Sequence, residues 1–133
     1  MYIFDGAMGT MLQAAGLEEG YCPELFNVEK PEVVKNIHAQ YLQHGSDVIT
    51  TNTFGACGLK LEDYDLQDRV REINIAAVKV AKEAIAEVKP SARVAGSMGP
   101  TGRFLQPLGN MSFDSIYDTY REQADALIEG GVD

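Results

Sequence analysis

Gly45-Ser46-Asp47-Val48-Ile49-Thr50-Thr51-Asn52-Thr53-Phe54-Gly55 is the stretch that decides the fold. Gly45 closes a helical pattern, Val48-Ile49 is a short apolar run, and the run dissolves into small polar residues and a glycine. Two other places repeat the order. Tyr2-Ile3-Phe4 passes into Asp5-Gly6-Ala7-Met8-Gly9-Thr10, and Val94-Ala95 passes into Gly96-Ser97-Met98-Gly99-Pro100-Thr101-Gly102. Each run precedes a segment of helical period. Strands separated by helices pair in parallel through right-handed crossovers. Their carboxyl ends then open on one side of the sheet, which is where ligands of α/β proteins bind.

The intervening helices are well punctuated. Pro31 suits a first helical turn, where its missing N–H costs nothing. Val33, Val34, Ile37, Tyr41 and Leu42 follow at helical spacing, with Gly45 at the C-terminal cap. A second helix is predicted from about Leu66 to Val88, its stripe formed by Val70, Ile73, Ala77, Val80, Ala81, Ala84, Ile85 and Val88, and Pro90 stops it. A third starts near Ser112, a natural N-cap with Asp114 in the first turn. Its stripe is Phe113, Ile116, Tyr117, Tyr120, Ala124, Leu127 and Ile128, up to Gly130-Gly131. The junction Glu129-Gly130-Gly131-Val132-Asp133 echoes His44-Gly45-Ser46-Asp47-Val48, so the chain is expected to stop on the threshold of a fourth strand. A parallel sheet needs cover on both faces or closure into a barrel. The reading is therefore the first part of a larger (βα) domain.

The 133 residues leave room for one domain at most. A formal charge of -9, with 11 basic residues scattered along the chain, disfavours nucleic acid and anionic membrane surfaces, which need clustered Lys and Arg. No apolar stretch reaches the length of a membrane span, and the N-terminus lacks a signal pattern. A soluble, cytoplasmic protein is expected. Cys22 and Cys57 sit in no C-x-x-C pair and near no histidine at ligand spacing, so they make no metal signature.

Asp5 is the sharpest candidate for chemistry. At the end of an apolar run it can accept hydrogen bonds from a ligand ammonium or, if desolvated, act as a base; it can equally cap the turn to its own backbone. Gly6-Ala7-Met8-Gly9-Thr10 can offer backbone N–H groups to a small carboxylate. It is neither a G-x-G-x-x-G fingerprint nor a P-loop, which argues against dinucleotides and nucleoside triphosphates. In Thr50-Thr51-Asn52-Thr53, alternation turns either Thr51 and Thr53 or Thr50 and Asn52 toward the strand interior. Threonine is also simply a good strand former. His38, mid-helix beside Ile37, reads as a satisfied surface or boundary residue, and His44 as a helix-end residue. No Ser-His-Asp or Cys-His arrangement is present to argue, and no catalytic residue is assigned.

Four blocks together resemble the homocysteine S-methyltransferase domain, in particular its cobalamin-dependent members. They are Asp5–Thr10, Pro23-Glu24-Leu25-Phe26-Asn27, Gly45–Gly55 and Gly96–Gly102. The likeness covers essentially all of the chain in the family's order. It implies the first three βα units of a (β/α)8 TIM barrel, truncated before strand 4, so that residues 1–133 are an N-terminal, incomplete homocysteine-binding domain. It implies transfer of a methyl group from methylcobalamin, linked to 5-methyltetrahydrofolate, to zinc-activated homocysteine, giving methionine; the metal lowers the thiol pKa. By the same resemblance Asp5 takes the amino group of homocysteine, the amides of Gly6 and Ala7 hold its carboxylate, and Thr51, Asn52 and Thr53 line the same mouth.

The family's zinc ligands are three cysteines, one after a late strand and an adjacent pair near the barrel's end. Cys22 and Cys57 match none of them. Zinc and cobalamin are thus expected in a longer parent with downstream folate- and cobalamin-binding modules, and the piece alone is expected to be inactive. Two alternatives stand beside this reading: a non-catalytic fragment that self-associates through open barrel edges, and a homocysteine methyltransferase using another methyl donor. An aldolase-like barrel would need a Schiff-base Lys at a strand end, and none of the three ends carries one.

Overall fold

The computed structural model describes residues 1–133. Its sheet is parallel and runs in chain order. Strands β1 (Val48–Thr50) and β2 (Arg93–Ala95) pair with Val48 opposite Arg93, Ile49 opposite Val94 and Thr50 opposite Ala95. On the other side of β1 the expected first strand is reduced to one parallel bridge between Phe4 and Val48. The amides of Asp47 and Val48 donate to Ile3 O, and that of Asp5 donates to Val48 O at 3.0 Å. The physical reason is lack of cover. Tyr2, Ile3 and Phe4 are 60%, 52% and 58% exposed, so only one edge of this run gains from pairing before it turns at Gly6.

Three long helices lie beside the sheet. Helix α3 (Pro31–Gln43) has Pro at its start and buries Val34, Ile37, His38 and Leu42 at 3.6-residue spacing. It ends where Gly45 takes φ +107, a left-handed turn that glycine adopts without Cβ strain. Helix α5 (Val70–Val88) buries the broadest face because it packs against both α3 and α6 (Phe113–Gly130). The helix begins one turn later than the expected Leu66: Asp65 sits at φ +57 and breaks the helical path, leaving single 3-10 turns on either side of it. Three short helices, α1 (Gly9–Ala14), α2 (Phe26–Glu29) and α4 (Gly58–Leu61), are too brief to show a hydrophobic period.

Ser112 caps α6 as expected, its hydroxyl accepting from Ser115 N at 3.1 Å. The stripe of α6 is a correction. Gln123, Ala126 and Leu127 are its buried residues, while Phe113, Tyr117 and Ile128 are exposed. The apolar residues of this helix therefore do not all face α5. The main core gathers Leu42, Ile49, Val78, Ala81, Ala84, Val94 and Leu127 from α3, β1, α5, β2 and α6. The Leu, Ile and Val side chains among them contribute about 1.5–3 kcal/mol each when fully buried, and the alanine methyls less.

The two helix-to-strand junctions that look alike in sequence are built alike. Asp47 N–H donates to Ile3 O at 2.7 Å, and Ile3 N–H donates back to the Asp47 carboxylate at 3.0 Å. Asp133 N–H donates to Val94 O at 3.0 Å, and Val94 N–H donates back to the Asp133 carboxylate at 2.8 Å. Each follows a left-handed glycine, Gly45 or Gly131. Lys89 reinforces the first joint by donating to Ser46 O and to Asp47 Oδ1 at 2.7 Å, and this pairing holds the Asp47 carboxyl below its usual range.

Candidate functional site

A cleft of about 480 Å³ opens at the carboxyl ends of the strands. Its walls include Gly6 to Thr10 from the first loop, Thr50 to Asn52 from the end of β1, Pro23 and Glu24 from the turn before α2, and Ser97 after β2. The three polar strand ends thus meet at one place, as their sequence order implies.

Asp5 is half-buried and does not itself line this cleft; its chain neighbour Gly6 and its hydrogen-bond partner Thr50 do. Its carboxylate does not cap its own turn. Oδ2 accepts from Thr50 N at 2.8 Å, and Thr50 Oγ1 donates to the carboxylate at 3.1 Å from Oδ1 and 3.3 Å from Oδ2. Burial pushes the Asp5 carboxyl upward, and the bonds from Thr50 pull it part of the way back. The next two residues, Gly6 and Ala7, are exposed, and their N–H groups donate to no other group of the chain. Tyr41 of α3 fixes this loop by donating its hydroxyl to Ala7 O at 2.7 Å. A Cβ at Gly6 would come within 3.0 Å of that hydroxyl, so glycine permits the approach.

The strand-end cluster divides by role. Thr51 and Thr53 are buried, and their hydroxyls are used within the fold. Ser97 N–H donates to Thr51 Oγ1 at 3.0 Å, Thr51 and Thr53 hydroxyls meet at 2.6 Å, and Thr53 Oγ1 donates to Ser97 O at 2.7 Å. The three bonds form a closed ring that continues the β1–β2 ladder beyond Ala95. Asn52 joins the loop to the turn before α2: its Nδ2 donates to Pro23 O at 2.9 Å and to Asn27 Oδ1 at 3.2 Å. In return, Asn27 Nδ2 donates to Asn52 O at 2.7 Å. Of the residues expected to line the mouth, Thr51 and Asn52 do so, while Thr53 points into the ring beneath it.

Sequence reasoning missed the supports of this cleft. Glu24, almost fully buried, accepts from Gly55 N at 2.6 Å and from Cys22 Sγ at 3.4 Å. Gln123 of α6 donates to Thr53 O at 2.8 Å, and Asn74 of α5 donates to Ala56 O at 2.9 Å. The signal was available for the last two: each is a lone polar residue on an otherwise apolar helix face. His38 is the opposite correction. It is fully buried with neither ring nitrogen hydrogen-bonded, and burial pushes its pKa down to about 4.

The donor set does not fit a metal. No three His, Cys, Asp or Glu side chains gather in one place. Both cysteines are buried and free. Burial, seconded by the Glu24 charge, pushes the Cys22 thiol up to about 12, and burial raises Cys57 as well. Thiols so disposed are poor sources of thiolate.

Fold and site define an α/β protein with a small parallel sheet and a polar cleft sized for a small molecule at the strand ends. The sequence matches the family model for homocysteine S-methyltransferase over residues 2–133, and the chain belongs to that family. It is 40% identical over 139 residues to the methionine synthase of Mycobacterium tuberculosis, and 38% identical to that of Mycobacterium leprae, each match covering 97% of this chain. The chain spans only 12% and 11% of the length of these relatives. The homocysteine methyltransferase MmuM of Escherichia coli superposes in its oxidized form with a TM-score of 0.81 at 25% identity, covering 100% of this chain and 51% of that one. Its metallated form gives 0.80 at 26% identity, covering 99% and 51%. No helix is long and apolar enough to cross a membrane.

Proposed function

We propose that this chain is the homocysteine-binding portion of a methyltransferase that makes methionine, and that it holds the amino-acid end of the substrate. One juxtaposition carries the reading. A half-buried carboxylate, Asp5, is gripped by Thr50 and followed in the chain by two free amide donors, Gly6 and Ala7, and these three neighbours of Asp5 line a small cleft. Acceptor beside donors is the complement of an α-amino acid zwitterion. Asp5 receives the ammonium, the amides of Gly6 and Ala7 receive the carboxylate, Thr51 and Asn52 form the wall, and Thr53 braces that wall from beneath.

The same reading takes residues 1–133 as the first three βα units of a (β/α)8 barrel, supported by the match to about half of the MmuM chain. Zinc, methylcobalamin regenerated from 5-methyltetrahydrofolate, and the modules that carry them belong to a longer cytoplasmic parent, supported by the likeness to methionine synthases. The residues of this chain supply no metal site, so the chain alone is inactive in methyl transfer. Calorimetry with homocysteine and two analogues, one lacking the amino group and one lacking the carboxylate, tests the assignment. Homocysteine is expected to bind and both analogues to bind at least tenfold more weakly, whereas equal binding of all three refutes it. Self-association through the first run is a second reading, favoured by the exposure of Tyr2, Ile3 and Phe4; light scattering separates a monomer from a paired form.

A further inference from the structure

In a parallel ladder the amide of Thr50 would donate to the main-chain carbonyl of Asp5, two residues beyond the Ile3–Val48 bond. It donates instead to the Asp5 side chain, at 2.8 Å, because the main chain turns away at Gly6. The hydroxyl of the same threonine reaches both carboxylate oxygens, at 3.1 and 3.3 Å. One residue therefore grips the carboxylate with two donors from one side. An ionised carboxylate has about four lone-pair sites; two donors leave room for an incoming ammonium. Thr50 also lines the cleft, so the grip lies on the ligand's side of β1.

We propose that Thr50 is the positioning residue of the amino-binding end: its amide and hydroxyl together fix the plane of the Asp5 carboxylate and leave its remaining lone pairs to receive a primary ammonium. This rests on the reading of Asp5 as the ammonium acceptor. Thr50 itself does not touch the reacting atoms; it acts through Asp5. Burial works against the charged form; the Thr50 amide and hydroxyl oppose it most, with the main-chain amide of Asp5 itself behind them. No charged side chain faces the carboxylate. The titratable group that α3 brings to this loop, Tyr41, is spent on Ala7 O, and at this level β1 and β2 present Thr50 and Ala95. A staple that merely finished the ladder would need the Thr50 amide and not the hydroxyl. The hydroxyl is the part that speaks for positioning.

The test compares the wild type with Thr50→Val, Thr50→Ser and Asp5→Asn in this chain. Valine matches threonine in shape and favours strands, so it removes the hydroxyl and keeps the amide bond. Carbon-detected NMR of the carboxyl groups follows the Asp5 titration directly, with no substrate present. Thr50→Val is expected to move the Asp5 midpoint to higher pH, and Thr50→Ser to return it toward the wild-type value. An unchanged midpoint in Thr50→Val overturns the proposal. Homocysteine titrations run alongside: Thr50→Val is expected to bind about tenfold more weakly, since bonds to charged groups are the strong ones, with the deficit widening as pH falls. If Asp5→Asn binds homocysteine as the wild type does, the assignment of Asp5 fails, while the carboxyl titration still decides whether Thr50 governs its charge.

Discussion

Replacing Thr53 by valine tests whether the hydroxyl ring holds the cleft wall in place. Thr53 is fully buried, and its Oγ1 both donates to Ser97 O at 2.7 Å and meets Thr51 Oγ1 at 2.6 Å. Valine fills the same space but leaves the Thr51 hydroxyl without its acceptor and Ser97 O without its donor. Thr51 is 3% exposed, so water does not replace the lost partner there, whereas partly exposed Ser97 recovers some hydration. Orphaning one buried polar group costs about 1–3 kcal/mol, which puts the loss near 2 kcal/mol. With a urea slope of about 1–3 kcal/mol per molar, the unfolding midpoint should fall by about 1 M at unchanged slope, read by circular dichroism. The double variant Thr51→Val/Thr53→Val removes the orphaned Thr51 hydroxyl as well. It should lose less than the sum of the single variants, by about 1 kcal/mol. A Thr53→Val midpoint within error of wild type, or strict additivity in the cycle, would refute the ring as a unit.

His38 and Gly99 offer two further checks. The folded His38 ring takes its proton only near pH 4, against about 6.5 when unfolded, so between those values the unfolded chain binds more protons. Stability should therefore fall as pH drops through that window, by about 3 kcal/mol in all. The fall should vanish in His38→Leu relative to wild type, and a folded-state ring titration by NMR with a midpoint above pH 6 would sink the argument. At Gly99 a Cβ would lie 2.5 Å from the Phe54 carbonyl oxygen, whereas at Gly96 it would meet the Leu127 side chain at 2.9 Å. Backbone cannot step aside as a leucine methyl can, so Gly99→Ala should cost about 1–3 kcal/mol and clearly more than Gly96→Ala in thermal unfolding.

What the sequence made legible was set by periodicity and punctuation. Pro31, Gly45, Pro90, Ser112 and Gly131 bound long helices whose apolar spacing repeats often enough to be read, and those helices fix the parallel order of the runs between them. Asp5 stood out as a carboxylate directly after an apolar run, but the run alone left a ligand-facing role and a turn cap equally open; its bonds to Thr50 appear only in the fold. Thr50 was not legible, because alternation along three residues cannot say which threonine faces the cleft once a neighbouring carboxylate bends the ladder. Glu24, Asn74 and Gln123 were hidden for a related reason: their work is to satisfy main-chain groups of distant loops, and such partners appear only when the chain has folded. His38 escaped because nothing in its local pattern distinguishes a buried imidazole from a boundary one.

The reciprocal bonds of Asp47 with Ile3 and of Asp133 with Val94 carry a consequence for how such a protein can be cut and rejoined. Each joint is a key carried by the incoming segment: the aspartate reads the position of one residue on the preceding strand and docks there through two bonds. Alignment is thus marked at the doorway of a unit, ahead of its own strand in the chain, and the bonds that mark it are separate from the loops at the far end that build the cleft. A graft that begins at the left-handed glycine and keeps the aspartate brings its own registration with it. A graft that begins after the aspartate must find its register from the apolar pattern alone, where a slip of one residue turns every side chain to the wrong face.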